Sequence, residues 1–260
     1  MTFERIRLAF DGSVAVLKLA DSDTLNAMSK SMLVEMAAAL DRITDPAAGV
    51  RCVLLTGEGR AFCSGANLTE AATGDFEVGE LLDRYYHPAL ERLRALGRPL
   101  VTAVNGPAVG IGMSFALMGD LVLAAESAYF LHAFGRIGLI PDGGSTWLLP
   151  RLIGLARARE LSFLAEKLPA PKALEWGLIN QVHPDDQLMP RALTLAHQLA
   201  TGPSVALGLM HGLYWESPDT SYADQLARER EAQKKAVDTR DFREAATAFV
   251  EKRPPKFEGR

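Results

Sequence analysis

The sequence predicts an α/β fold built as one continuous core and followed by a helical C-terminal third. Three times within the first 150 residues, a short apolar strand leads into a loop and then into a segment with helical periodicity. No break in composition and no long linker interrupts this alternation. Of the 260 residues, 48% are hydrophobic and 23% are charged, the ordinary balance of a globular chain that buries a large core.

Local patterns place the elements of the first half of the chain. Apolar residues alternate on either side of Asp11 and Gly12, which predicts a β-hairpin with a tight turn. Ser29 precedes apolar residues at helical spacing, which predicts a capped helix over residues 29–44. The segment 61–75 is small and polar, and we expect an exposed loop there. Further strands are expected at 51–57, 100–104 and 120–125, and further helices at 77–96 and 111–118.

Beyond Pro150 the sequence pattern is mostly helical. The last helix mixes apolar positions with many charges, which is typical of a solvated cap and equally of a subunit contact, so both interpretations stay open. We predict a core domain over residues 1–195 and a C-terminal helical region over 196–260. Helices are expected near 156–165, 187–200, 203–215 and 220–250, and a strand at 176–182.

Composition, charge and cysteine usage exclude several classes of function. The formal net charge of −4 gives no basic surface for a nucleic-acid backbone. Asn105 and Asp120 interrupt the most apolar stretch, so no membrane span is predicted. Cys52 and Cys63 show neither a disulfide framework nor metal-ligand spacing, and the charged start of the chain does not fit a signal peptide. We therefore expect a cytoplasmic protein with no bound metal and with neither nucleic acid nor membrane as partner.

Two glycine-rich turns are the most informative features, because the sequence has no phosphate-binding glycine motif and no GxSxG nucleophile motif. The turns are SGANL (64–68) and Gly110-Ile111-Gly112. A helix N-terminus exposes unpaired N–H groups, and glycine lets a ligand approach the backbone closely. Two such N–H groups aimed at one carbonyl oxygen would form an oxyanion hole, whereas tight packing alone would also explain both turns.

Asp142 stands between Pro141 and two glycines at an expected strand-to-helix junction. An Asp in that place is most often the N-cap of the following helix. Ile140, Trp147 and Leu148 are close in sequence, and in such apolar surroundings the same carboxyl would be a general base with a raised pKa. The local sequence favours the cap.

Four blocks carry the most specific signal when they are taken together. They are GRAFCSGANL (59–68), VNGPAVGIGMSFALMGDLVLAAESAYF (104–130), IGLIPDGGSTWLLPRLIG (137–154) and ALEWGLINQVHP (173–184). In order and spacing they resemble the crotonase superfamily, also called the enoyl-CoA hydratase/isomerase family, over essentially the whole chain. The resemblance implies a crotonase-like spiral of ββα units with a C-terminal helical trimerisation region, and hence a homotrimer or a hexamer built as a dimer of trimers.

Carried over position by position, the resemblance implies a site for an acyl-CoA thioester, with no cofactor besides the coenzyme A of the substrate itself. The N–H groups of Ala66 and Ile111 would form the oxyanion hole, in agreement with the two glycine-rich turns. Substrate-binding positions implied in the same way are Leu25, Ala27, Ala66, Asn67, Leu68, Gly110, Ile111 and Pro141. Loop 69–80 and helix 81–96, with Tyr85, Tyr86 and His87, would shape the acyl pocket and take no part in catalysis.

The chain departs from the pattern of the family's hydratases, which use two glutamates to position and activate water. Ser114 stands in place of one glutamate, and Ala133-Phe134 replaces the Pro-Glu pair that carries the other. The family's Δ3,Δ2-enoyl-CoA isomerases and 1,2-epoxyphenylacetyl-CoA isomerases instead place one carboxylate directly after the LIP proline, where this chain has Asp142.

We therefore predict an acyl-CoA isomerase in which Asp142 is the catalytic proton shuttle and the oxyanion hole stabilises the enolate. The first alternative is an enoyl-CoA hydratase or lyase in which Glu70 or Asp75 replaces the usual pair of glutamates. The second is a noncatalytic acyl-CoA-binding protein, because a fold alone does not guarantee its usual function.

Overall fold

The computed structural model describes residues 3–69 and 77–260, and the strands in these ranges form two sheets. The strands are β1 (Ile6–Asp11), β2 (Val14–Leu19), β3 (Cys52–Gly57), β4 (Leu100–Val104), β5 (Ala108–Val109), β6 (Leu121–Ala125), β7 (Tyr129–Leu131), β8 (Lys167–Pro169) and β9 (Gln181–His183). The larger sheet has the order β1-β2-β3-β4-β6-β9 and is parallel from β2 onward. The smaller sheet has the order β5-β7-β8.

Helices account for most of the remaining chain. They are α1 (Lys30–Thr44), α2 (Val78–Leu81), α3 (His87–Arg94), α4 (Ile111–Ala116), α5 (Ser145–Leu164), α6 (Ala170–Trp176), α7 (Leu188–Ala200), α8 (Ser204–Glu216), α9 (Tyr222–Val237) and α10 (Arg240–Glu251). A π-helical segment, Leu82–Tyr86, joins α2 to α3, and a short 3-10 helix, Ala133–Ile137, follows β7. The predicted cap of α1 is confirmed, since Ser29 Oγ accepts a hydrogen bond from the N–H of Met32 at 3.1 Å.

The core lies on the larger sheet. Strands β3 and β4 are buried at every residue, as expected for central parallel strands. Helix α7 packs across both of them, and α1 packs against β1 and β2. The hydrophobic core so formed extends from Ile6 to Ala200. The division of the chain into residues 1–195 and 196–260 stays a prediction.

Helix α8 is fastened to this core by the buried imidazole of His211. Its Nδ1 lies 2.8 Å from Asp120 Oδ1, and its Nε2 lies 2.9 Å from the carbonyl oxygen of Arg94. Both ring nitrogens therefore face acceptors, an arrangement that suits the protonated ring. Burial by itself lowers the pKa of His211, but the hydrogen bond and charge of Asp120 and the Arg94 carbonyl together raise it above its usual value.

The predicted β1–β2 hairpin, helix α1 and strands β3, β4 and β6 are confirmed, whereas other predicted bounds are wrong for local reasons. Gly177, with a φ of 79°, ends α6 after Trp176, so the strand expected at 176–182 forms later, at Gln181–His183. Helix α5 begins at Ser145 rather than near 156. Gly154 has a φ of 78° and kinks the helix, which obscures its first half in the sequence pattern.

Two further differences concern short or divided elements. Residues 220–250 form two helices rather than one, because Thr239 Oγ1 accepts from the N–H of Phe242 and caps α10. The small sheet has no counterpart in the sequence prediction, because its strands of two or three residues are too short to show alternation. Of the loop expected at 61–75, residues 70–76 lie outside the described ranges.

Candidate active site

Three segments that are distant in sequence lie side by side next to the small sheet. Met28 pairs with Ala66, and Cys63 pairs with Ala108, each as an isolated parallel bridge. Ala108, in β5, is in turn paired with Phe130 in β7. The first glycine-rich turn is therefore held between the residues before α1 and the small sheet.

The bridge to Met28 fixes the direction of the Ala66 peptide. The N–H of Met28 donates to the carbonyl of Gly65 at 2.8 Å, and the N–H of Asn67 donates to the carbonyl of Met28 at 3.0 Å. In a parallel bridge, the residue between these two bonds directs its own N–H to the opposite side. The N–H of Ala66 donates to no residue in the described ranges, so it is free for a ligand.

The second glycine-rich turn packs directly against the first. Gly110, with a φ of 53°, turns the chain from β5 into α4, and its N–H donates to the carbonyl of Leu131 at 2.8 Å. Ile111 is the first residue of α4, and its N–H also has no acceptor among the described residues. A Cβ on Gly112 would lie 2.7 Å from three atoms of Cys63, so only glycine permits this approach. The two predicted donor groups thus belong to turns in van der Waals contact.

The turn that carries Leu25 and Ala27 is held by a residue that sequence reasoning missed. Leu25 and Asn26 both have positive φ angles, 56° and 58°, and Asn26 is completely buried. Its Oδ1 accepts from the N–H of Asp21 at 2.9 Å, and its Nδ2 donates to the carbonyls of Glu58 and Ala61. The sequence signal that could have found this residue is its type, because Asn adopts the left-handed region more readily than most residues do.

Asn67 and Leu68, two more of the predicted substrate-binding residues, follow a segment that is bonded to this turn. The carbonyl of Leu25 accepts a hydrogen bond of 3.0 Å from the N–H of Ser64, which joins the turn to the first glycine-rich segment. Asn67 Oδ1 accepts from the N–H of Thr69 at 3.2 Å, and the side chain of Leu68 is 51% exposed. An apolar side chain this accessible is available for contact with a ligand.

Asp142 does not cap a helix, so the cap interpretation is wrong. The N-cap of α5 is Gly144, and no side chain bonds there. Gly143 and Gly144 have φ angles of 61° and 75°, and these two left-handed residues separate the Asp142 carboxyl from the helix N-terminus. Asp142 Oδ1 is instead buried without a hydrogen-bond partner in the described ranges.

The surroundings of Asp142 favour the general-base interpretation. Burial raises the pKa of its carboxyl to about 6, against a smaller opposing effect of the charge of His87. A carboxyl with a pKa in that range both removes and returns protons readily near neutral pH. A Cβ on Gly143 would lie 2.3 Å from Ile111 Cδ1, so the turn that carries Asp142 packs on the first residue of α4.

The helical segment after the undescribed loop contributes supporting contacts. Tyr86 is buried, and its hydroxyl donates to the carbonyl of Met28 at 3.1 Å, so it braces the turn rather than lining an open pocket. His87 is part-exposed, and its Nδ1 lies 3.1 Å from Asp83 Oδ1. The alternative bases Glu70 and Asp75 lie outside the described residues.

Side chains suited to a metal do not cluster in the ranges that the structure describes: no group of three or more His, Cys, Asp or Glu is placed to hold an ion. In the same ranges, no helix is long and apolar enough to cross a bilayer. Cys52 and Cys63 are both free and buried, and burial raises the pKa of each thiol to about 12. Neither thiol is therefore a candidate nucleophile.

Comparison with known proteins gives matches over nearly the whole chain. Residues 9–260 match the family described as Enoyl-CoA hydratase/isomerase. The chain is 41% identical over 251 residues to the 1,2-epoxyphenylacetyl-CoA isomerase of Escherichia coli K12, with 95% of each chain covered. It is 40% identical over 260 residues to a Rhodobacter capsulatus protein named "Probable enoyl-CoA hydratase", with 100% of each covered. The crystal structure of enoyl-CoA hydratase from Bacillus anthracis is similar with a TM-score of 0.94 at 31% identity, covering 99% of this chain and 100% of that one.

Proposed function

This chain belongs to the enoyl-CoA hydratase/isomerase family and has the crotonase fold, and within that family of enzymes we propose that it is an acyl-CoA isomerase. The observation that carries the proposal is the carboxyl of Asp142, whose pKa is raised by burial and whose turn packs on Ile111 through Gly143. Ser114 and Phe134 occupy the two positions where the resemblance places the glutamates of hydratases.

The proposed reaction moves a double bond within an acyl-CoA thioester. The Asp142 carboxylate removes a proton from C2 of a 3-enoyl thioester, and the negative charge passes to the thioester oxygen of a dienolate. The N–H groups of Ala66 and Ile111 donate to that oxygen, and each such donor is worth about 3–4 kcal/mol in an oxyanion hole. The same carboxyl, now protonated, returns its proton at C4, which leaves the double bond between C2 and C3 and regenerates the carboxylate.

The contacts of the two replaced positions support isomerisation over hydration. Ser114 is buried, and its hydroxyl donates to the backbone carbonyl of Asp142 at 3.2 Å, so it braces the base. Phe134 is a buried aromatic side chain that packs edge-on against His132, and it supplies no acid or base. Proton transfer between two carbons of one substrate needs a single carboxyl that acts in turn as base and acid.

We propose that the coenzyme A portion lies along the Asn26-braced turn, with Leu25, Ala27, Asn67 and Leu68 as its contacts. Gly110 and Pro141 would flank the thioester. The two free N–H groups and the exposed side chain of Leu68 support this placement. The reaction as written needs no cofactor beyond the coenzyme A that the substrate carries.

We further propose assembly into a homotrimer, or a hexamer built from two trimers, through residues 196–260. The support is apolar surface left open on the single chain. Within these residues, Phe249 and Val250 are 86% and 80% exposed. Light scattering on the purified protein tests the assembly, and a double change of Phe249 and Val250 to Asp should shift it toward monomer. A cytoplasmic location belongs to the same proposal and is supported by the two free, buried cysteines.

The experiment that tests the isomerase proposal is α-proton exchange in D₂O, followed by NMR, on a panel of small 3-enoyl-CoA thioesters. Wild type is compared with Asp142→Asn, and with Asp186→Asn as a control in an exposed turn. Loss of exchange and of double-bond migration in Asp142→Asn alone is expected. Exchange that survives in Asp142→Asn places the base elsewhere and overturns the proposal.

Two other outcomes would identify the alternatives. Enzyme-like formation of 3-hydroxyacyl-CoA from a 2-enoyl-CoA, without migration of the double bond, would identify a hydratase, as the name of the Rhodobacter capsulatus relative suggests. Tight binding of the thioesters by wild type without any exchange would identify a noncatalytic acyl-CoA-binding protein.

A further inference from the structure

A wholly buried histidine outside the predicted site connects to the turn that carries Asp142. His132 follows the last residue of β7, and both of its ring nitrogens are hydrogen-bonded to serine hydroxyls. Its Nε2 lies 3.0 Å from Ser145 Oγ, and its Nδ1 lies 2.9 Å from Ser162 Oγ. Burial lowers the pKa of His132 to about 4, so the ring is neutral at physiological pH.

Ser145 links His132 to the turn that carries Asp142. Its hydroxyl lies 2.8 Å from the carbonyl oxygen of Asp142, and its N–H donates to the same oxygen at 3.2 Å. A continuous line of hydrogen bonds therefore runs from His132 through Ser145 to the backbone of Asp142. At the other end, Ser162 Oγ lies 2.7 Å from the carbonyl oxygen of Ala158 and 2.9 Å from His132 Nδ1, two acceptors that compete for its single proton.

His132 is also adjacent to the turn that presents the second oxyanion donor. The preceding residue, Leu131, accepts the N–H of Gly110 at 2.8 Å, and Gly110 directly precedes Ile111. The ring of Phe134 packs edge-on against the imidazole, with centroids 5.1 Å apart, and lies against Gly110. His132 thus sits between the elements that carry the base and one oxyanion donor.

We propose that His132 is a positioning residue, which holds the Asp142 carboxyl in register with the oxyanion hole through Ser145. This inference rests on the proposed function, in which Asp142 is the base. The neutral imidazole has one N–H, and when Nε2 donates it to Ser145 Oγ, the Ser145 proton goes on to the Asp142 carbonyl. Nδ1 then accepts the proton of Ser162 Oγ.

Two substitutions of His132 separate its two hydrogen bonds. The amide of Asn takes the place of Nδ1, so His132→Asn keeps the contact with Ser162 and loses the contact with Ser145. The longer side chain of Gln reaches the place of Nε2, so His132→Gln keeps the contact with Ser145. We expect His132→Asn to lower kcat about tenfold to a hundredfold with KM within about twofold, since small displacements of a reacting group have effects of that size.

Matched variants complete the kinetic test. His132→Gln should retain kcat within about threefold, Ser145→Ala should behave like His132→Asn, and Ser162→Ala, at the far end of the chain, should stay near wild type. Equal losses in His132→Asn, His132→Gln and Ser162→Ala would show a purely structural role and overturn the proposal. Wild-type kcat in His132→Asn or in Ser145→Ala would overturn it as well.

A second readout does not depend on activity. The carboxyl of Asp142 is titrated by ¹³C NMR in wild type and in the same variants. Loss of the Ser145 contact should open the turn to water and shift the Asp142 titration toward lower pH in His132→Asn and Ser145→Ala, but not in His132→Gln. An unshifted titration in both of the former variants overturns the inference. If wild type fails the isomerisation assay, the proposed function fails, and this titration still decides whether His132 positions Asp142.

Discussion

Ser114 in α4 donates a hydrogen bond of 3.2 Å to the backbone carbonyl of Asp142, so the helix that begins with the proposed oxyanion donor Ile111 also holds the turn of the proposed base. Ser145 bonds the same carbonyl from α5. The side chain of Asp142 is therefore positioned through its own backbone, while its carboxyl is left free of hydrogen-bonding side chains at Oδ1. An arrangement of this kind orients a base without lowering its basicity.

The activity should depend on the ionisation of Asp142. Because the base must be deprotonated, and because burial raises its pKa to about 6, kcat/KM should rise with pH and level off above that value. The measurement is the initial rate of double-bond migration between pH 4.5 and 9. A rate that stays flat between pH 5 and 7 would contradict the assignment of the base.

Removing the same carboxyl should stabilise the fold at neutral pH. A carboxyl whose folded pKa lies above its unfolded value favours folding while both states are protonated, and this contribution is lost as pH rises through the folded pKa of about 6. The free energy of unfolding of Asp142→Asn should therefore exceed that of wild type by up to about 3 kcal/mol at pH 8, and the two should differ little at pH 4. Urea unfolding at both pH values measures the difference, and an equal effect at the two would contradict it.

The contact between the glycine-rich turns should not tolerate a methyl group. Gly112→Ala would place Cβ 2.7 Å from the backbone and side chain of Cys63, so the turns must separate. We expect a loss of about 1–3 kcal/mol in stability and a fall of at least tenfold in kcat. The matched change Gly212→Ala, in α8 with nothing within 4 Å, should leave kcat unchanged and stabilise the helix by about 0.5–1 kcal/mol.

Asn26 should be needed both for its left-handed backbone and for its hydrogen bonds. Asn26→Ala loses both and leaves the N–H of Asp21 and two carbonyls without their partner, whereas Asn26→Gly keeps the backbone conformation. We expect Asn26→Ala to cost about 2–4 kcal/mol and to raise the KM for acyl-CoA, with a smaller effect on stability for Gly. Equal stability of the two variants would show that backbone conformation does not matter here.

The attachment of α8 should weaken in alkaline solution. The folded pKa of His211 is raised, so its contribution to stability is complete below the ordinary value of 6.5 and is lost as pH rises through the folded value. The advantage of wild type over His211→Asn in thermal unfolding should therefore shrink between pH 6 and pH 9. A constant difference over that range would mean that the ring acts by packing alone.

The fold was predictable wherever one local pattern dominates. Alternation around Gly12 located the hairpin, and the capping Ser29 located α1, because each signal lies within a few residues of the element that it specifies. The two glycine-rich turns were also predictable from their residue types. Their contact across 45 residues of sequence depends on strand pairing, which no local pattern encodes.

The remaining features of the site depend on backbone conformation or on distant partners. The residue type of Asp142 favoured a helix cap, but the left-handed Gly143 and Gly144 lie between Asp142 and the helix, so its carboxyl does not reach the helix N-terminus. Asn26 and His132 act through hydrogen bonds to residues up to 35 positions away, and neither lies in a motif that names a chemistry. Such contributions become visible once the chain is folded.

The unpartnered Oδ1 of Asp142 also bears on the energy levels within the proposed catalytic cycle. A charged oxygen buried without a donor is less well stabilised than the same oxygen in water, so the carboxylate of the resting enzyme holds a proton more readily than a free carboxylate does. The dienolate complex, in which the carboxyl holds the proton, relieves that cost at the moment when the substrate becomes less stable. The difference in free energy between the two states is thereby narrowed, which favours proton transfer from carbon in the proposed reaction.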